Sequence, residues 1–156
     1  METLIPQATL DKLLAVYEPK ARYLQSAHVD YPISYGRFHI PASVYVQNTG
    51  HLNAVDALIC FNQLASALIG VAWTQGSLEG LDRITEDDFS KYQLGRAYIL
   101  KVKNFTFNGS IDATDFGAHL QVEKAAVRNG LYYFFTSVSF EDGKIVGDFV
   151  LGLKVA

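Results

Sequence analysis

The chain has little of several features that mark large classes of protein. It contains one cysteine, so no disulfide can form within it, and its formal net charge is −3 with no run of Lys or Arg. The electrostatic footprint of a nucleic-acid-binding protein is therefore missing. The four histidines lack the close spacing of a metal site: His28, His39, His51 and His119. We expect no metal and no nucleic-acid partner.

The N-terminus lacks a basic segment followed by an apolar stretch, so no signal peptide is expected and a cytoplasmic protein is predicted. Only 19% of the 156 residues are charged, whereas 49% are hydrophobic. The length fits one domain, residues 1–156. A surface with so few charges favours association with another copy.

The longest apolar stretch runs from Ala54 to Trp73 and predicts a helix buried on nearly all sides. Asn53 is its expected N-cap, and Asp56 lies where a carboxylate interacts with free N–H groups at a helix start. A membrane span is not expected, because Asp56, Asn62 and Gln63 fall in the first half of the stretch. Each of these buried polar groups needs a partner, and a ligand or a second subunit can supply one.

Shorter elements flank this helix. Residues 7–18 predict an amphipathic helix with Thr9 as its cap, and Pro19 ends it. Two short strands are predicted, Ser34–Ile40 and Ser43–Gln47, while residues 20–29 are mixed and predict no element.

Four further strands are predicted after the long helix: Gly95–Phe107, Gly117–Val127, Leu131–Glu141 and Lys144–Val155. The pairs Asn129-Gly130 and Asp142-Gly143 join the last three as tight hairpins in an antiparallel meander. The fold class is therefore α+β: an antiparallel sheet of about six strands wrapped around one long central helix, preceded by an N-terminal helix.

This order of elements resembles the hot-dog fold, and three motifs are similar to those of the FcoT-like thioesterase family. They are Tyr35-Gly36-x-Phe38-x-Ile40, Tyr45-x-x-x-Thr49-Gly50-His51-Leu52-Asn53-Ala54-Val55 and Cys60-Phe61-Asn62-Gln63-Leu64. The resemblance implies a long-chain fatty acyl-CoA thioesterase, or an enzyme that adds glycine to a 2-enoyl-acyl-carrier-protein, as some relatives do. It also implies a homodimer or a dimer of dimers, with coenzyme A or phosphopantetheine as part of the substrate and no other cofactor.

The resemblance places Tyr45, Asn53 and Asn62 around the thioester as catalytic residues. Substrate contacts are expected from Gly50, Leu52, Ala54, Asp56, Phe61 and Arg22. A further tyrosine of the family, which follows a Glu-Pro pair, is missing here, because Glu18-Pro19 is followed by Lys20; Tyr17 and Tyr23 are the alternatives. The acyl tail is expected between helix and sheet, against Phe61, Leu64, Leu68 and Tyr132–Phe135.

Two residues have alternative interpretations. His51 is either a general base, since its ordinary pKa lies near neutrality, or a residue that only stabilises the turn. Asp56 is either a base or a capping residue. Cys60, inside the apolar helix, is interpreted as a packing residue rather than a nucleophile.

Three functions remain open from the sequence. Hydrolysis of a fatty acyl thioester is the leading hypothesis, because the N–H groups at a helix start can polarise the thioester carbonyl. Glycine addition to a 2-enoyl thioester needs the same polarisation, together with a cation for the carboxylate, for which Lys20, Arg22 and Arg37 are candidates. The third hypothesis is a non-catalytic acyl-thioester binding domain.

Overall fold

A computed structural model describes residues 3–47 and 49–155 of the chain. One antiparallel sheet of seven strands, in the order β1-β2-β3-β5-β6-β7-β4, curves around the long helix α2. The strands are β1 (Thr3–Leu4), β2 (Leu24–Asp30), β3 (Ile33–Phe38), β4 (Ala97–Phe107), β5 (Phe116–Arg128), β6 (Leu131–Phe140) and β7 (Ile145–Lys154). The helices are α1 (Gln7–Leu13), α2 (Ala54–Gln75) and α3 (Glu86–Arg96).

The central helix and the meander confirm the sequence prediction closely. Asn53 is the N-cap of α2 and Gly76 ends it in the left-handed conformation at φ 78°. The turn between β5 and β6 has positive φ at both Asn129 (54°) and Gly130 (74°), as a two-residue hairpin requires. Although α2 is long and apolar enough to cross a membrane by length and composition, its side chains form the core beneath the sheet.

The N-terminal third of the chain corrects several predictions. Residues 43–47 form no strand: residues 44–46 are bends, and the segment pairs with no strand of the sheet. The mixed segment of residues 20–29 instead contains β2, whose alternating burial pairs it with β3. The first helix is shorter than predicted; its N-cap is Pro6 rather than Thr9, and it ends at Leu13, well before Pro19.

Two glycines allow helix α2 to approach its neighbours closely. A Cβ at Gly36 of β3 would lie 3.0 Å from Leu64 Cδ1 of α2. A Cβ at Gly70 of α2 would lie 2.6 Å from Leu13 Cδ2 and 2.9 Å from Phe89 Cε1. Helices α1 and α3 therefore pack on α2 only because position 70 has no side chain.

We expect Gly70→Val to lower the free energy of unfolding by about 2 kcal/mol, since the added methyl groups overlap two buried side chains. Gly95→Val in α3 is the matched control, because no atom lies within 4 Å of a Cβ built there. Urea unfolding of both variants measures the difference. Equal losses in the two variants would contradict the close packing at Gly70.

Candidate functional site

Asn53 joins the preceding loop to the first turn of α2. Its Oδ1 accepts a hydrogen bond from the backbone N–H of Asp56 (2.9 Å) and another from the hydroxyl of Tyr45. Its Nδ2 donates to Asp56 Oδ2 at 2.9 Å. The Asn53 amide thus holds the half-exposed Tyr45 next to the helix N-terminus.

The carboxylate of Asp56 is buried, with 2% of the residue exposed. The hydroxyls of Tyr23 and Ser43 also donate to its Oδ1, at 3.5 and 3.4 Å. Burial, together with the adjacent charge of Asp56, raises the pKa of Tyr23 and the pKa of the Cys60 thiol. These contacts favour capping and structure as the role of Asp56, and they agree with Cys60 as a packing residue.

An open groove lies at the N-terminus of α2. His51, Leu52, Asn53 and Ala54 form one side of it, and Phe107 with the turn after β4 forms the other. Leu52 is anchored, because its N–H donates to Ile111 O at 2.8 Å, whereas the His51 side chain is exposed. The first N–H groups of a helix have no acceptor within it, so those of Ala54 and Val55 can polarise a carbonyl placed in the groove.

Asn62 lies away from this groove. Nine residues separate it from Asn53, which is about 13 Å along a helix and half a turn around it. It lines a cavity of about 250 Å³ between α2, α3 and strands β4, β6 and β7, together with Tyr17 and Ser66. Within one chain, the three predicted catalytic residues therefore do not share a cavity: Tyr45 and Asn53 are together, and Asn62 is apart.

Tyr17, rather than Tyr23, accompanies Asn62. Burial raises the pKa of Tyr17, while its hydrogen bond with Ser66 acts in the opposite direction. Tyr23 is 1% exposed and belongs to the core. Asn62 and Ser66 are four residues apart and so share one face of α2, but nothing in the sequence indicates that Tyr17 lies beside them.

The other predicted contacts divide between core and surface. Phe61, Leu64 and Leu68 are fully buried, and Phe61 stacks on Phe149 with ring centroids 4.0 Å apart. They pack within the core rather than along the cavity, which uses the neighbouring face of α2. Of the aromatic run of β6, Tyr132 and Phe134 are buried while Tyr133 and Phe135 are partly exposed, because successive side chains of a strand point to opposite faces.

Two of the predicted cations have clear surroundings. The Nε of Arg22 donates to Tyr17 O at 3.0 Å, which holds the guanidinium beside a residue of the cavity. Arg37 is instead paired with Asp115 and lies 3.7 Å from Glu141, so its charge is already compensated. Within residues 3–47 and 49–155, no three His, Cys, Asp or Glu side chains are close enough to hold a metal ion.

A sheet wrapped around one long helix defines the hot-dog fold. The dehydratase domain from the CurH module of the curacin polyketide synthase has this fold, with a TM-score of 0.62 and 16% identity over 100% of this chain and 50% of that one. A thioesterase from Haemophilus influenzae gives a TM-score of 0.50 and 12% identity, over 96% of this chain and 90% of that chain.

Sequence comparison identifies the family. The model of the FcoT-like thioesterase domain matches residues 12–152, and the chain belongs to this family. A relative from Mycobacterium marinum (strain ATCC BAA-535 / M), named (2E)-enoyl-[ACP] glycyltransferase, is 33% identical over 130 residues, which cover 80% of this chain and 70% of the relative. A relative of the same name from Mycobacterium tuberculosis (strain ATCC 25618 / H37Rv) is 34% identical over 121 residues, covering 74% of this chain and 66% of the relative.

We expect Asn53→Ala to lower the free energy of unfolding by about 2 kcal/mol, because it removes an N-cap and also removes the Nδ2 donor to Oδ2 of the buried Asp56 carboxylate. Thr85→Ala is the matched control: Thr85 caps the exposed start of α3, accepting from the N–H of Asp88, and should cost about 1 kcal/mol. Thermal or urea unfolding compares the two. A smaller loss for Asn53→Ala than for Thr85→Ala would contradict the role given to Asn53.

Proposed function

We propose that this chain is an enzyme that hydrolyses fatty acyl thioesters of coenzyme A or an acyl carrier protein, in the cytoplasm and without a further cofactor. The supporting observation is the groove at the N-terminus of α2, where Asn53 caps the helix and Tyr45 is held beside it. The thioester carbonyl binds there, against the first N–H groups of α2. Such donors stabilise the oxyanion that forms when water attacks.

The water must lose a proton to attack. His51, exposed on the edge of the groove, accepts it and returns it to the thiolate that leaves, so that the products are a fatty acid and a free thiol. The Asn62 amide and the Tyr17 hydroxyl have no base strength near neutrality, so their role is to orient the reacting groups by hydrogen bonds.

A homodimer would bring the two separated parts of the site together. Strand β4 forms one edge of the sheet, and apolar side chains on it and on the adjacent face of α2 are exposed, among them Val102 (49%), Phe107 (43%) and Val55 (50%). A long apolar edge strand is normally covered. Pairing of β4 with its own copy extends the sheet and covers these side chains.

Antiparallel two-fold pairing also has a geometric consequence. If the axis passes the middle of β4, Phe107 of one copy lies opposite Ala97 of the other. Phe107 belongs to the groove with Asn53, and Ala97 belongs to the cavity with Asn62. Each complete site then contains the groove of one copy and the cavity of its partner.

Glycine addition is the second candidate, and the curated relatives favour it by name. The glycine amine would form a bond to C3 of a 2-enoyl thioester, while the amine proton reaches C2 through a base such as His51. The carboxylate would need a cation, and Arg22 is the candidate because its Nε donates to the carbonyl of Tyr17, a residue that lines the cavity. The thioester would remain intact.

The test is to incubate the purified protein with a saturated acyl thioester and with its 2-enoyl analogue, each with and without glycine, and to follow the products by mass spectrometry. We expect free fatty acid to be released whether or not glycine is present. A glycine adduct that retains the thioester would replace hydrolysis by the second candidate. Binding without any product would indicate a non-catalytic binding domain.

Asn62→Ala should lower kcat/KM by about 100-fold, whereas Thr74→Ala, at the far end of α2, should not.

The shared site predicts complementation. Asn53→Ala and Asn62→Ala are each expected to be nearly inactive, but an equal mixture should recover about a quarter of wild-type activity, because half of the dimers contain one intact site. No recovery after subunit exchange would place the whole site within one chain.

Val102→Glu should give monomers, as measured by light scattering, and these monomers should be inactive. Val127→Glu, at a valine of similar exposure (51%) on β5, should remain dimeric.

A further inference from the structure

The cavity beside Asn62 has a polar end and an apolar end. Asn62, Ala65, Ser66 and Ile69 share one face of α2, at the spacing i, i+3, i+4 and i+7, and span about 10 Å of the helix axis. Tyr17 and Ser66 line the end nearer Asn62, where all three residues are partly exposed. A ligand can therefore enter at the polar end and extend toward Ile69.

The opposite end is closed by Phe89 of α3. Phe89 is 3% exposed, packs against the space beside Gly70, and makes an edge contact with Trp73 at 6.4 Å between ring centroids. Gly70 and Trp73 follow Ile69 along α2, so Phe89 lies beyond the last cavity residue of that helix.

Beyond the polar end most of the cavity wall is apolar and suits an uncharged apolar group, although Gln93 of α3 also lines the cavity and its Oε1 has no hydrogen-bond partner within the described residues. Phe134 and Leu151 form the floor and are both buried, at 0% and 8% exposure. Ala65 and Ala97 leave the space open because their side chains are short. Among the lining residues in the described part of the chain, none is charged, which disfavours a carboxylate or phosphate inside.

The cavity is also limited in size. Its volume is about 250 Å³, compared with about 150 Å³ for an apolar cavity that holds the six carbons of benzene. On that scale it accepts about ten carbons. A long-chain acyl group of sixteen or eighteen carbons would need the end wall to move.

We propose that this cavity binds the tail of a medium-chain acyl group, of about eight to ten carbons, and that Phe89 sets the upper limit of chain length. The inference depends on the proposed function for the identity of the ligand as an acyl thioester. The inference narrows the proposed substrate to medium-chain acyl thioesters. It also assigns a role in chain-length specificity to Phe89, which takes no part in the chemistry.

The test is a series of saturated acyl-CoA thioesters from four to sixteen carbons. For the wild type, kcat/KM should be highest at eight to ten carbons and at least about tenfold lower at sixteen. Phe89→Leu should move the optimum to longer chains by about two carbons, and Ala65→Leu, which fills the middle of the cavity, should move it to shorter chains. Phe105→Leu is the control, because Phe105 contacts Phe149 outside the cavity, and its profile should match the wild type.

Binding of alkyl-CoA thioethers, which cannot be hydrolysed, keeps this inference separate from the proposed reaction. If they bind with the expected dependence on length while no thioester is turned over, the proposed chemistry fails and the chain-length assignment is supported. If sixteen carbons bind as well as ten, or if neither Phe89→Leu nor Ala65→Leu moves the preference, the inference is overturned. Folding of each variant is checked by its unfolding midpoint.

Discussion

The buried amide of Gln63 joins the central helix to the sheet that surrounds it. Its Oε1 accepts from the N–H groups of Tyr23 (2.9 Å) and Leu24 (3.0 Å), and its Nε2 donates to Ala21 O. The exposed fraction of Gln63 is 0%, so no water can replace these partners. The start of strand β2, at Leu24, is thus fixed by its hydrogen bond to α2.

That attachment also positions the candidate site. Tyr23, whose N–H donates to Gln63, also donates its hydroxyl to Asp56. Asp56 in turn accepts a hydrogen bond from Asn53, and Asn53 accepts one from the hydroxyl of Tyr45. A set of side-chain hydrogen bonds through the Asp56 carboxylate therefore connects the start of β2 with the start of α2. Because the Asp56 charge is compensated by hydrogen bonds and the helix N-terminus rather than by a cation, the loss of one donor should affect the whole set.

The division of the site between a groove and a cavity explains why the fold indicates a ligand class more clearly than a reaction. Polarisation of a thioester carbonyl at a helix start serves both hydrolysis and addition to a conjugated double bond. The candidate base, His51 before α2, serves both reactions. The group that distinguishes them is the cation that the glycine carboxylate would need, for which Arg22 before β2 is the candidate.

The sequence by itself determined the elements that depend on local signals. The Asn53 cap, the apolar length of α2 and the positive-φ turn at Asn129-Gly130 each contain their own physical cause within a few residues. Strand β2 was missed because its formation depends on pairing with β3 and on the hydrogen bonds to Gln63, which lies 40 residues from Tyr23 in sequence. Only the tertiary structure decided that Tyr17 and Phe89 meet Asn62 across a cavity, since helix packing brings them together and local sequence carries no signal of distant contacts.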